Sequence, residues 1–109
     1  NISNVCVIVD FNKIQTDKQV EEIISLGELQ KKFADFGWHV QRCNGHDYAE
    51  LESVFAGLAQ ITDKPKIIIA DTVKGKGVSY MENVCEWHGK APNDEQAAAA
   101  LKELEATLN

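Results

Sequence analysis

The stretch VIVDFNKIQ, residues 7–15, runs from β-branched apolar residues straight into Asp10, Phe11, Asn12 and Lys13. The side-chain amide oxygen of Asn12 and the backbone carbonyl of Ile14 are hard oxygen donors of the kind that Mg²⁺ or Ca²⁺ takes. The same asparagine would equally serve as a loop residue bonding its own backbone. Farther on, KGKG at residues 74–77 joins two glycines, which let backbone N–H groups approach an anion, to two lysines, which act as point charges on phosphate. It lacks the spacing and the Ser/Thr of a Walker loop, and such pairs also occur in surface turns. In WHGKAPN, residues 87–93, His88 sits in a glycine- and proline-shaped turn. There an imidazole can donate to a phosphate or a substrate hydroxyl, or simply stand in solvent. His39, alternating with Trp38 and Val40, reads as structural, and His46 in NGHD as a local hydrogen-bonding residue. Cys6, Cys43 and Cys85 have no basic neighbourhood or glycine-rich elbow, so thiol nucleophile chemistry is not expected.

These residues need elements to hold them. Val5 to Val9 is a continuous apolar run and predicts a strand buried on both faces. Asp10 to Glu22, with Gln15, Thr16 and Asp17, reads as a long loop. Ser25 and Glu28 have capping-box spacing for a helix over Leu26 to Phe36, with Leu26, Leu29, Phe33 and Phe36 inward and Gly37 ending it. Trp38 to Cys43 predicts a second strand. After the Asn44–His46 turn, Asp47 and Glu50 start a helix to about Ile61, with Leu51, Val54, Phe55, Leu58 and Ile61 as its apolar stripe. Lys66 to Val73 is the third strand and 74–93 a second long loop. Asn93 with Gln96 opens a last helix, with Leu101, Leu104 and Leu108 inward. Strands alternating with helices imply right-handed crossovers and an open parallel α/β sheet covered by helices. In such sheets ligands bind beyond the carboxyl ends of the strands, the edge from which Asp10 to Thr16, Asn44 to Asp47 and Lys74 to Asn93 emerge.

The 109 residues suffice for one domain. Hydrophobic residues at 44% and charged residues at 26% fit a folded globular chain, and no apolar run approaches the ~20 residues of a membrane span. A formal net charge of −6 argues against general nucleic-acid binding, which needs a basic face for phosphates. Three widely spaced cysteines form neither a disulfide framework nor a zinc pattern and suit a reducing cytoplasm. The chain opens at Asn1 without Met and enters a strand almost at once, so a segment is expected to precede it.

VIVDFNKIQTD, FGWHVQRCNGHD, IIIADTVKGKGVSYMEN and WHGKAPN, in that order, resemble the transketolase family, specifically the type split into separate N- and C-terminal subunits. The resemblance covers essentially the whole chain. It implies the C-terminal part of a thiamine-diphosphate-binding domain, in which a divalent metal, Mg²⁺ or Ca²⁺, holds the cofactor diphosphate. Asn12 matches the Asn that closes the family's metal motif, and Ile14 the residue lending its backbone carbonyl. His88 matches the histidine that reaches toward the diphosphate and the donor sugar, with a catalytic role. Lys74 and Gly75 would lie in a loop near the cofactor.

The Gly-Asp-Gly opening of the metal motif is not in this sequence, nor is the glutamate of the pyrimidine-binding domain that activates the cofactor. Lys18 stands where the family usually has glycine, and Asp71 where the split type often has lysine. The implied partners are therefore the rest of the cofactor-binding domain, a pyrimidine-binding subunit or domain, and sugar phosphates, within a homo- or hetero-oligomer. The implied reaction is two-carbon ketol transfer, with a related synthase of the same superfamily as a variant. A chain that folds or self-associates without completing the site is the alternative, and a generic phosphate-binding module, resting on KGKG alone, is a third.

Overall fold

The computed structural model describes residues 2–15, 18–23 and 25–108. The chain divides into two compact units, one of Asn1–Asn12 with Leu26–Thr72 and one of Lys13–Ser25 with Val73–Asn109.

The first unit is built on KIIIAD, strand β5 (Lys66–Asp71), in which Ile67, Ile68 and Ile69 are fully buried. A strand this apolar requires a neighbour on each edge. It has β1 (Cys6–Phe11) on one side and β4 (His39–Asn44) on the other, both parallel to it. The register aligns Cys6, Lys66 and His39 at the amino end and Phe11, Asp71 and Asn44 at the carboxyl end, so the three strands finish level. Side-chain alternation divides the sheet into two faces. Ile68, Ala70 and Cys43 share one of them and cluster with Leu58, Leu51 and Val54 of helix α3 (Tyr48–Leu58). Helix α2 (Leu29–Asp35) packs against β4, with Phe33 edge-on to Trp38 at 5.8 Å.

The open parallel sheet is as expected, but several details differ. β1 is an edge strand, with Ile8 56% exposed, because β5 is its one partner among the described residues. It also runs on through Asp10 and Phe11, where a loop was expected. α2 begins at Leu29 rather than Leu26. Gly27 takes φ +55°, and the N-cap is Glu28, which makes no side-chain cap bond, so the expected capping box of Ser25 and Glu28 does not form. Phe36 lies past the helix and is 84% exposed, so it is not a core residue. Gly37 does end α2: its N–H donates to Ala34 O and that of Trp38 to Phe33 O, the paired bonds of a Schellman turn. Asp47 caps α3 through Glu50 N–H at 3.0 Å, but the Glu50 carboxylate turns to Asn44 N–H instead of closing the box, and Phe55 faces solvent.

In the second unit β2 (Ile14–Gln15) and β3 (Lys18–Gln19) form a minimal antiparallel pair, followed by α1 (Val20–Ile23). The sequence predicted a loop there, since two-residue strands carry no readable period. Thr16 and Asp17 lie outside the described residues. After a 3₁₀ turn (Cys85–His88), α4 (Asp94–Ala106) starts at a full capping box: Gln96 N–H to Asn93 Oδ1 at 2.9 Å and Asn93 N–H to Gln96 Oε1 at 3.0 Å. Its inward residue is Ala100. Leu101, Leu104 and Leu108 are 60%, 41% and 84% exposed, contrary to expectation, because polar contacts at Gln96 and Glu103 set which side of α4 meets the loop 73–84. Among the described residues no helix is long and apolar enough to cross a membrane.

Ile68→Ala removes a fully buried side chain from the cluster under α3. It is expected to lower stability by about 2–5 kcal/mol, read from denaturant unfolding of the protein.

Candidate functional site

At the carboxyl end of β1 the strand hands over to Asn12, which is half-buried. The two residues before it are held from both faces of the sheet. On one face the Asp10 carboxylate accepts from Thr72 Oγ1, while Thr72 N–H donates to Phe11 O. On the other, the Arg42 guanidinium lies 5.5 Å from the centroid of the Phe11 ring. Arg42 also grips Asp71 with two parallel bonds, Nε to Oδ2 at 2.6 Å and Nη2 to Oδ1 at 2.8 Å, and these hold the guanidinium pKa above its ordinary value. Beside them, Gly45 N–H donates to Asp71 O, and the Asn44 side chain accepts from His46 N–H. His46 is therefore in a local turn, as expected, while His39 meets Gln41 at 3.1 Å within β4.

The second unit holds the other candidates. Ile14 is half-buried in β2, two residues past Asn12, and Lys13 between them takes φ +64°. Lys74 and Gly75 occupy a tight turn closed by Lys76 N–H to Val73 O, Val78 N–H to Gly75 O and Asn83 N–H to Lys74 O. Gly75 has φ +76°, and a Cβ there would lie 2.6 Å from Met81 O, so the residue must be glycine for packing as well as for conformation. Gly77 N–H is engaged by Glu82 Oε1 at 3.0 Å, with Lys76 Nζ 3.3 Å from the same oxygen. Half of the KGKG stretch is thus neutralised by its own chain. Among the described residues nothing accepts from Gly75 N–H or pairs with the Lys74 ammonium, which leaves that half with donors to offer an anion.

His88 ends the 3₁₀ turn and is exposed, with Lys90 Nζ 5.0 Å above the ring of the adjacent Trp87. Trp87 Nε1 donates to Tyr80 O, which ties the turn to the loop 73–84. That loop is tied in turn to α4 by Tyr80 OH to Gln96 O and by Ser79, whose N–H and Oγ both donate to the Glu103 carboxylate at 2.6 and 2.7 Å. The two bonds from Ser79, backbone first, pull the Glu103 pKa below the usual glutamate value against weaker opposition from burial and Glu82.

Asn12 and Ile14 offer neutral oxygen donors, and the described residues contain no cluster of three His, Cys, Asp or Glu able to hold a metal. Each by its donor chemistry is of the kind that a hard divalent cation takes. A cavity of about 410 Å³ lies at the amino end of the sheet, walled by Ile2, Val5, Phe36, Gly37, Trp38 and Pro65. It has no group for an anion or metal and is at the opposite edge from Asn12. All three cysteines are free, and burial pushes the Cys43 pKa up. The Arg42–Asp71 pair in the first unit and, separately, Glu82 and Glu103 in the second were not singled out by sequence, although Asp71 had marked itself by departing from the family pattern.

Residues 1–107 match the family described as the transketolase, thiamine diphosphate binding domain. The chain belongs to this family. Curated transketolase relatives include an apulose-4-phosphate transketolase subunit of Phocaeicola vulgatus, 35% identical over 94% of this chain and 37% of that protein. The 6-deoxy-6-sulfo-D-fructose transketolase subunit SqwG of a Clostridium species is 36% identical over 95% of this chain and 38% of that protein. The chain thus spans little more than a third of these transketolase subunits. Among solved structures, the transketolase of Campylobacter jejuni superposes with a TM-score of 0.86 at 28% identity, covering 94% of this chain and 16% of that one. The transketolase of Leishmania mexicana gives 0.67 at 20% identity over 95% of this chain and 19% of that one, a likeness of fold.

Gly75→Ala is expected to lower the melting temperature by several degrees, because strain at positive φ and the contact with Met81 O add. An unchanged melt would free Gly75 from its structural duty. Glu103 titrates with a lowered folded-state pKa, so its contribution is present above the unfolded value of about 4.3 and lost as pH falls through the folded one. Acid unfolding of Glu103→Gln should therefore show a shallower dependence on pH below that value than the wild type.

Proposed function

We propose that this chain is one part of a thiamine-diphosphate-dependent transketolase that moves a two-carbon ketol unit from a ketose phosphate to an aldose phosphate. The observation that carries the reading is the family match over residues 1–107 together with Asn12 at the carboxyl end of a parallel strand, the edge where ligands of such sheets bind. When bound, the cofactor supplies the carbanion and electron sink of the reaction. This chain's residues then bind and orient. Asn12, through its amide oxygen, and Ile14, through its carbonyl, ligate Mg²⁺ or Ca²⁺. Lys74 and Gly75 N–H face the diphosphate, and His88 donates a hydrogen bond or proton to phosphate or sugar.

The remaining metal ligands, the pyrimidine-binding part and the sugar contacts come from the rest of the protein or from a partner subunit. The subunit names of the two curated relatives support that arrangement. The free cysteines support a reducing, cytoplasmic setting. The alternative is a chain that folds, or associates with itself, without completing the site.

Native mass spectrometry of the intact protein with its partner, with and without thiamine diphosphate and Mg²⁺, tests this. An assembly that gains both supports the transketolase reading, whereas a species that gains neither supports the alternative. In the intact enzyme Asn12→Ala should weaken Mg²⁺-dependent cofactor binding about 10- to 100-fold, and His88→Ala should reduce turnover about 10²-fold while cofactor binding changes less. Unaltered affinity would remove Asn12 from the metal site.

A further inference from the structure

We propose that Arg42 is a positioning residue for Asn12, holding the end of β1 in the direction that metal binding requires. The proposal rests on the functional reading above. Arg42 projects from β4 and reaches the ends of both other strands. Its fork closes on Asp71 at the end of β5 with bonds of 2.6 and 2.8 Å, and its guanidinium lies 5.5 Å from the ring centroid of Phe11 at the end of β1. Phe11 and Asp71 are register partners, so one side chain spans the level carboxyl ends of all three strands on one face. A further bond, Nη1 to Gln30 Oε1 at 3.4 Å, anchors it to α2.

Phe11 is the last residue of β1 in the ladder, and Asn12 is the first residue beyond it. Whatever fixes the Phe11 side chain and backbone therefore helps to set the direction in which Asn12 leaves the sheet. Thr72 secures the backbone and the other face through Phe11 O and the Asp10 carboxylate, and Arg42 secures the ring. Ligands to a metal must be held to about 0.5 Å, and partners that orient a ligand without touching the metal contribute about 10–100-fold in affinity. A lysine could keep the charge at position 42 but not the two-pronged grip or the flat stacking surface.

The test is isothermal titration of the intact protein with Mg²⁺ at saturating thiamine diphosphate, beside the melting temperature of the unliganded protein. Arg42→Ala and Asp71→Asn should each raise the Mg²⁺ dissociation constant about tenfold, and combining them should add little, because both remove one contact. Arg42→Lys should fall between wild type and Arg42→Ala. The exchanged pair Arg42→Asp with Asp71→Arg should recover most of the affinity lost in Arg42→Ala. Wild-type affinity in Arg42→Ala overturns the proposal, as does a loss that tracks the melting temperature across all the variants. A wild-type protein that binds no Mg²⁺ with the cofactor overturns the functional reading and this one with it.

Discussion

Parallel pairing of β5 with a strand on each edge is the constraint from which the first unit follows. Three consecutive isoleucines with no exposed surface can be accommodated only where both faces are covered and both edges are bonded. At about 25 cal/mol per Å² of apolar area, burial of that segment is a dominant local contribution. It also fixes a geometry: parallel strands in matched register must end together, so Phe11, Asp71 and Asn44 are neighbours whatever their side chains. The chemistry available at that edge is therefore decided by which residues follow the apolar run in each strand. β1 delivers Asn12, β5 delivers Thr72, and β4 delivers the NGHD turn.

The second unit is organised differently. Its loop 73–84 buries Val78 and is held by backbone groups, two carboxylates and the Tyr80 hydroxyl. Glu82 serves Gly77 N–H and Lys76, and Glu103 serves Ser79 twice over. Both carboxylates meet the loop through N–H groups, the donors that a glycine-rich stretch exposes. The effect is selective. Donors at 77 and 79 are satisfied internally, whereas the Lys74 ammonium and Gly75 N–H meet no acceptor among the described residues.

The alternation of apolar segments with helical periods made the parallel sheet legible, and the capping residues Asp47 and Asn93 marked their helices because a side-chain oxygen at the N-cap is a local device. What was not legible depended on distant partners. The run Val5 to Val9 reads as interior, but whether its outer edge is covered depends on what lies beside it, and Ile8 is exposed. Leu101 and Leu108 have core spacing, yet α4 turns Ala100 inward because Gln96 and Glu103 are bonded to the loop. Among the candidate residues, Asn12, Lys74 and His88 are the ones that residue type and family pattern name. Arg42 could not, since its meaning lies in Asp71, twenty-nine positions away, and in Phe11.

That pair also illustrates how small an energy can matter. Arg42 and Asp71 are 40% and 33% exposed, so solvent screens them, and a pair of this kind contributes about 1 kcal/mol or less to global stability. The sheet does not need it, since burial along Ile67–Ile69 far outweighs it. A directional contact at the end of a strand has a different leverage, because it acts where the ladder stops and the regular pairing of β1 with β5 no longer dictates the path of the chain. Thr72 and Arg42 restrain Asp10 and Phe11 from opposite faces. Between them they convert the rigidity of the buried strand into a defined direction for Asn12, which hydrophobic burial alone, being non-directional, would not supply.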